Sequence, residues 1–356
     1  MKKICVITTS LGKGGAERSS AILSQMLSDL NYEVHIMMTK NDIDYQFAGI
    51  MFNLEKEYGR SLSGFKKMIV LRSYFKEHDF DFIIDNRVRA TFLKEYILYN
   101  HVFKTKNMIS VVRSYYLRNY LPKSKFLAQL IYSKNSKIIA VSKEIQKAIV
   151  NKYQFQNCNQ IYNPIDINDV NTKGDEDIDL HEKFIIFFGR IEEQVKNFTL
   201  LLQSYKKSTL IERGFKLYIM GEGKDAVFLK QLISDLKIEN MVEYRSFDKN
   251  PFRYIKKSLF TVLTSKHEGF PRMLIESLAC GVPVVSVDCK SGPKEIIKNG
   301  FNGLLVENNN SKALADAFDT LIEDKVLYET CRANAKKSVE KFSIENISKE
   351  WGELLR

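Results

Sequence analysis

Nothing in the 356 residues is long and apolar enough to cross a membrane as a helix, which takes about 18 such positions. The longest apolar run, Phe184-Ile185-Ile186-Phe187-Phe188, has the length of a buried strand. Cysteine is sparse and unpatterned. Cys5, Cys158, Cys280, Cys289 and Cys331 form no C-x-x-C pair, and an odd count without a framework argues against a disulfide scaffold or a zinc site and for a reducing compartment. Short repeats and low-complexity tracts are absent as well. With 44% hydrophobic residues interspersed along the chain, disorder is excluded. A secretory leader is not expected either: after Met1-Lys2-Lys3 the apolar stretch Ile4–Ile7 is too short and runs directly into Thr8, Thr9 and Ser10. That segment reads as a first strand, and the protein as cytoplasmic.

What is present in excess is positive charge, 54 Lys+Arg against 43 Asp+Glu, a net of +11. It is unevenly placed. Residues 1–165 carry 25 basic and 13 acidic residues, a net of +12, whereas the remainder is at −1. Between Asn86 and Lys143 twelve Lys/Arg face a single acid, Glu95. Such asymmetry fits a polyanionic partner, either nucleic acid or an anionic membrane surface. A solubilising surface would explain a uniform excess better than this split.

Short apolar runs alternate with longer amphipathic stretches, the pattern of an α/β protein with parallel sheets. The first half shows strand-like runs at Lys3–Thr8, Val34–Thr39, Phe82–Asp85, Met108–Val112 and Lys137–Val141, with helical stretches at Ala16–Leu30, Gly64–Lys76 and Lys143–Tyr153. A polar break over 167–182 reads as a linker or surface loop. A second series follows at Phe184–Phe188, Lys216–Met220, Met241–Tyr244, Phe260–Leu263 and Pro283–Ser286. Two consecutive doubly wound domains are therefore expected, 1–165 and 166–339, with a last helix over 340–356 packing back on the first. Ligands in such folds sit beyond the carboxyl ends of the strands, so the loops after strands carry the chemistry.

Four of those loops stand out. Ser10-Leu11-Gly12-Lys13-Gly14-Gly15-Ala16-Glu17-Arg18 places glycines between strand and helix, where backbone N–H groups can meet an anion. It is neither the dinucleotide fingerprint, since Glu17 takes the third glycine's place, nor a P-loop, and an ordinary strand–helix turn would look the same. Phe187-Phe188-Gly189-Arg190, with Lys196-Asn197 six residues on, puts two cations where a diphosphate could be neutralised. Met220-Gly221-Glu222-Gly223 supplies another glycine turn. The most specific string is Ser265-Lys266-His267-Glu268-Gly269-Phe270-Pro271-Arg272-Met273-Leu274-Ile275-Glu276, continuing to Cys280-Gly281-Val282-Pro283. It sets one carboxylate in a loop and a second eight positions later on a helix, able to address different parts of one ligand.

From Glu268 to Val285 the chain resembles the E-x7-E region of retaining glycosyltransferases of family 4, which have the GT-B fold. Gly14-Gly15-Ala16-Glu17-Arg18, Gly189-Arg190 with Lys196-Asn197, Gly221-Glu222-Gly223, Ser291–Ile297 and Gly300–Val306 match further segments of that family in order. The resemblance implies an α/β GT-B architecture, two Rossmann-like doubly wound domains facing each other across a deep cleft, with acceptor on the first and nucleotide sugar on the second. It also implies roles. Glu268 lies beside the transferred sugar, and Arg190 and Lys196 hold the departing diphosphate. Glu276 accepts from the donor ribose. Gly14, Gly15, Gly189, Gly221, Gly269, Phe270, Pro271, Arg272 and Leu274 complete the donor site, largely through backbone N–H groups. No cofactor and no metal are expected, since stabilising the leaving group stands in for a metal; Asp42-Ile43-Asp44 and Asp79-Phe80-Asp81 read as coincidence.

One departure concerns the loop after the fourth predicted strand, where many relatives have histidine. None of the chain's five histidines falls there; Arg113 takes the place, in Val112-Arg113-Ser114-Tyr115. Arg113, with Glu17 and Arg89, is assigned to the acceptor; for Arg113, contact with a phosphate and a plain surface cation are the alternatives. The resemblance implies a nucleotide-sugar donor, expected to be a UDP-sugar, and a glycan acceptor linked to polyprenyl diphosphate in bacterial surface polysaccharide assembly. The basic first half then addresses an anionic inner membrane face. Within it, Phe126, Leu127, Leu130 and Ile131 form an apolar stripe between Lys123, Lys125 and Lys134, suited to a membrane surface or to packing on the sheet. Two other functions fit parts of the pattern: a nucleotide-sugar 2-epimerase of the same fold, and a basic nucleic-acid-binding protein. Nucleic acid is not expected, because no RRM, KH or zinc-finger signature is present.

Overall fold

The computed structural model describes residues 1–103, 105 and 107–356; Lys104 and Lys106, two of the basic residues counted above, lie outside the described residues. The chain divides into two compact units, Met1–Pro164 with Ile347–Arg356, and Ile165–Asn346.

In the first unit the described strands are β1 (Lys3–Thr8), β2 (Glu33–Met38), β3 (Ile50–Asn53), β4 (Phe82–Asp85), β5 (Met108–Val112), β6 (Lys137–Ala140) and β7 (Cys158–Gln160). They form one parallel sheet in the order β3-β2-β1-β4-β5-β6-β7. Helices on both faces explain why these strands are apolar without alternation: Ile4 to Ile7 and Val111 to Val112 are buried on either side. On one face Cys5, Ile7, Phe52, Tyr74, Phe75 and Phe80 share a core with Leu98 and Phe103. The chain winds outward from β1 to β3 and then crosses back to β4, so the strand order reverses between β1 and β4. The loops after those two strands flank the crevice where ligands of this architecture bind.

Strands β3 and β7 are short and absent from the sequence-level reading. β7 is Cys-Asn-Gln, without the β-branched or aromatic residues that mark a strand, and it exists because β6 offers it a partner edge. The final helix, Ile344–Leu354, buries Ile347 and Trp351, and Lys2 Nζ donates to the carbonyls of Leu355 at 3.0 Å and Arg356 at 3.1 Å. Residues 340–346 belong to the second unit, where the rings of Phe342 and Phe270 meet edge-on at 5.0 Å.

The second unit carries β8 (Phe184–Phe188), β9 (Lys216–Met220), β10 (Val242–Arg245), β11 (Thr261–Leu263), β12 (Val284–Val287) and β13 (Gly303–Val306), parallel and in the order β10-β9-β8-β11-β12-β13. Its reversal lies between β8 and β11. The break over 167–182 is corrected in part: Ile167–Gly174 is a helix, capped by Asp166 Oδ1 on the Asp169 N–H and anchored by buried Val170. Its hydrophobicity is carried by one or two residues, too few to give a visible period. Both units thus have the doubly wound parallel sheet that the strand–helix alternation implies.

Candidate active site

At the carboxyl ends of β8 and β11 the second unit assembles its candidate residues from loops seventy positions apart. Lys196 Nζ lies 2.6 Å from Glu268 Oε1, and the Ser265 hydroxyl donates to the same oxygen at 2.7 Å. The pair is largely enclosed, with Lys196 17% and Glu268 13% exposed. Its backbone is equally constrained. The Lys196 carbonyl accepts from Thr264 Oγ1 at 2.8 Å, the Val195 carbonyl from the Lys266 N–H at 2.8 Å, and Glu268 N donates to the Lys290 carbonyl at 2.7 Å. The short helix Glu193–Lys196 is steadied from its other end too. The Glu193 N–H donates to Asp225 Oδ2, while the Glu193 carboxylate accepts from the Phe198 and Thr199 N–H groups and from Thr199 Oγ1. A lysine on a rigid base facing a held carboxylate is a preorganised charge pair rather than two surface groups that happen to meet.

Arg190 follows β8 and is 64% exposed, with its guanidinium 3.8 Å from Glu192; the Lys224 ammonium approaches the same carboxylate at 3.3 Å. Two exposed cations therefore flank one acid beside the strand ends. Gly189 and Gly221 allow the loops after β8 and β9 to touch. A Cβ built on Gly221 would lie 1.8 Å from the Gly189 carbonyl oxygen, so no side chain fits there. Further along, Glu276 Oε1 accepts from Arg272 Nε at 3.2 Å, both side chains being buried on the helix Arg272–Ala279. Phe270, Met273 and Leu274 turn into the core, which leaves only their backbones for a ligand, and the Leu274 N–H is already bonded to the Pro271 carbonyl. The Gly269 carbonyl accepts from Ser291 Oγ at 2.8 Å, tying this loop to the one after β12.

The first unit treats its three acceptor candidates differently. Arg89 is the correction. Its guanidinium is fully buried, donating from Nη1 to the carbonyls of Asp85 and Arg87 and from Nη2 to that of Val111, so it braces the sheet instead of facing a ligand. Beneath it, Arg87 pairs with Asp85 at 2.8 Å and Glu95 at 3.0 Å, all nearly inaccessible to solvent. Burial works to raise the Asp85 carboxyl, but the adjacent Arg87 and Arg89 outweigh it and hold the group below the ordinary carboxylate range, whereas burial dominates at Glu95 and raises it. The twelve-cation stretch is thus not all surface charge.

Arg113 does sit at the strand ends. Its Nη1 donates to Asn163 Oδ1 at 2.6 Å and its Nη2 to Asn86 Oδ1 at 3.0 Å, linking the loops after β4, β5 and β7. Glu17 lies in the first turn of the helix Gly15–Asp29 with its carboxylate over Gly14, where a Cβ would meet Oε2 at 2.2 Å. A negative group at that helix start already answers the positive end of the helix dipole, in the place where Gly14 and Gly15 are expected to meet a phosphate.

Other groups are inert or structural. All five cysteines are free thiols and buried, and burial pushes Cys158 and Cys280 up to about 12, so they supply no thiolate near neutral pH. Asp81 Oδ2 accepts from the Lys3 N–H at 2.7 Å. Ser265, Glu192, Glu193, Lys224 and Asn86 were not singled out from sequence. Ser265 and Asn86 carried a signal, being polar residues placed directly after or close behind a predicted strand; the others become visible only through their partners.

Comparison with known proteins gives the family of the chain. The family model described as Glycosyltransferase Family 4 matches residues 13–169, and that described as Glycosyl transferases group 1 matches residues 170–338. The chain is 32% identical over 363 residues, 98% of each chain, to the N-acetylgalactosamine-N,N'-diacetylbacillosaminyl-diphospho-undecaprenol 4-alpha-N-acetylgalactosaminyltransferase of Campylobacter jejuni. It is 23% identical to the amylovoran biosynthesis glycosyltransferase of Erwinia amylovora, covering 100% of both. Among solved structures, TarM superposes with a TM-score of 0.80 at 16% identity, covering 100% of this chain and 99% of that one. Anabaena HepE in complex with UDP superposes with a TM-score of 0.78 at 19% identity, again covering 100% and 99%.

Proposed function

The chain belongs to the family 4 glycosyltransferases, and from that premise we propose that it moves a sugar, with retained anomeric configuration, from a UDP-sugar to a hydroxyl of a lipid-linked glycan in bacterial cell-surface polysaccharide synthesis. The observation that carries the proposal is the Lys196–Glu268 pair, with Ser265 on the same oxygen, at the reversal between β8 and β11. Arg190 and Lys196 neutralise the departing diphosphate. Glu268 lies beside the sugar, where its carboxylate stabilises positive charge developing at the anomeric carbon. Glu276, on the helix Arg272–Ala279 that follows, accepts from the ribose. In the reacting geometry the acceptor oxygen attacks on the face that the leaving group vacates. The bond from anomeric carbon to diphosphate oxygen breaks with its electron pair on the diphosphate, and a diphosphate oxygen takes the acceptor's proton. No metal enters this scheme.

UDP is favoured by the UDP complex of HepE, and a diphospho-polyprenol acceptor by the substrate in the name of the Campylobacter relative. No described helix is long and apolar enough to cross a membrane. A peripheral position on the inner face is supported by the +12 of residues 1–165 and by the helix Lys125–Tyr132, which buries Ala128 and Ile131 while leaving Phe126 67% and Leu130 40% exposed. The apolar stripe is thus divided between core and solvent.

The test is a transfer assay with UDP-sugars and an undecaprenyl-diphosphate-linked saccharide in excess chelator, the product's anomeric configuration being read by NMR. Transfer that survives the chelator, with configuration retained, is expected. Inversion, strict metal dependence, or a 2-epimer formed without acceptor would overturn the proposal.

A further inference from the structure

Among the described residues, the first unit holds a buried donor group with no hydrogen-bond partner. Asn86 is the first residue after β4, at the crevice where the strand order of its sheet reverses, and only 5% of it is exposed. Its N–H continues the sheet ladder to the Ile7 carbonyl at 2.9 Å. Its side-chain oxygen accepts from Arg113 Nη2 at 3.0 Å, and the same guanidinium reaches Asn163 Oδ1 from Nη1. Its amide nitrogen, Nδ2, is buried and meets no hydrogen-bond partner among the described residues. The amide cannot satisfy itself by turning over. A guanidinium only donates, so it requires the amide oxygen, and a flipped amide would set donor against donor. Arg113 therefore fixes the orientation and points the N–H pair away from itself. Leaving such a group unsatisfied costs its full desolvation, and folded chains seldom retain that cost without a use for it.

We propose that Asn86, oriented by Arg113, is a binding residue for an acceptor oxygen, its Nδ2 donating to a hydroxyl or phosphate oxygen of the glycan substrate at the β1/β4 crevice. The ligand atom must be an acceptor, because the group offered is a neutral donor, and a cation stands directly behind it. The inference rests on the glycosyltransferase proposal and adds to it the group that selects the acceptor's oxygen. Arg89 and Arg87, the buried arginines of this region, give their terminal guanidinium nitrogens to backbone carbonyls and to buried carboxylates respectively.

Asn86→Asp separates this role from a structural one. The variant is isosteric and keeps an oxygen for Arg113, in a charged pair, so its thermal midpoint stays level or rises. It also replaces the N–H pair by a second acceptor oxygen, which repels a ligand oxygen. Two probes distinguish the source: methyl α-galactoside offers neutral sugar oxygens only, and inorganic diphosphate offers anionic oxygens only. In 15N-labelled wild type, one of them is expected to shift the Asn86 side-chain amide resonances, assigned through backbone connectivity, and to bind Asn86→Asp at least tenfold more weakly. UDP affinity, measured by calorimetry, remains within twofold. Equal binding of the probes by wild type and variant, or unmoved Asn86 resonances while UDP binds the wild type, would overturn this inference alone. Failure of the wild type to bind UDP would remove the donor proposal and this inference with it.

Discussion

Removing one member of the Lys196–Glu268 pair tests both the energetics of the second unit and its chemistry. At 2.6 Å and an effective dielectric constant of about 20, the Coulomb attraction is about 6 kcal/mol. Desolvation of two groups that are 17% and 13% exposed offsets most of it. A coupling of about 2 kcal/mol remains, above the ~0–1 kcal/mol of surface pairs and below the ~3–5 kcal/mol of breaking fully buried ones. Lys196→Met, Glu268→Gln and the double variant form a cycle, read by hydrogen exchange of the β8 amides, Phe184–Phe188, whose opening reports unfolding of this sheet. The double variant should lose about 2 kcal/mol less than the sum of the singles. UDP titration gives the functional half. Lys196→Met should bind UDP at least tenfold more weakly, having lost a cation opposite the diphosphate, whereas Glu268→Gln should bind it a few-fold more tightly, because the lysine is no longer shared with a carboxylate. A coupling under about 0.5 kcal/mol would refute the energetic reasoning. Unchanged UDP affinity in Lys196→Met would take that lysine out of the diphosphate site.

Gly221→Ala would force a methyl group to within 1.8 Å of the Gly189 carbonyl oxygen, so the loops after β8 and β9 must part; a loss of about 2–3 kcal/mol by scanning fluorimetry and weakened UDP binding are expected, and an unchanged midpoint would show that the contact relaxes freely. Glu276→Gln keeps shape but loses charge, and should weaken UDP binding several-fold while leaving free diphosphate unaffected; equal losses for both ligands would contradict a ribose role. His35, bonded to Tyr74 at 3.0 Å and Glu33 at 3.1 Å, has its pKa lowered chiefly by burial, with His78 adding to the effect. The unfolded chain then takes up the proton first, so stability present above about pH 6.5 is lost as pH falls from there towards the folded pKa. His35→Gln should flatten that slope in midpoints measured between pH 7.5 and 5.5. Charge reversal at Lys123, Lys125 and Lys134, combined with Phe126→Ser, should reduce partition onto anionic vesicles without altering UDP affinity; unchanged partition would exclude this helix as the contact.

Legibility differed by the range of the interaction involved. Strands such as Lys3–Thr8 and Phe184–Phe188 were readable because burial on both faces demands continuous apolar residues, and the helix Ile167–Gly174 was not, because one buried valine makes no period. Arg190, Lys196, Glu268 and Glu276 were named by type and spacing. Arg89 was assigned to the acceptor, yet the fold buries it on three carbonyls, since a charged residue after a strand looks identical from sequence whether it turns outward or in.

The amino-acid sequence by itself determined that this protein has two parallel-sheet units, that its glycine turns and cations follow strand ends, and that its net positive charge lies in the first half. These properties depend on neighbours within a turn or a strand, and the chain carries them locally. Which side chains meet was decided only by the tertiary structure. β11 lies against β8 although they are separated by two strands of sequence, and that adjacency alone brings Ser265 and Glu268 to Lys196. In the first unit, Arg113 reaches Asn86 and Asn163 only because β4 and β5 are neighbours in the sheet and the segment after β7 returns past their ends, which leaves the Asn86 amide nitrogen without a hydrogen-bond partner among the described residues.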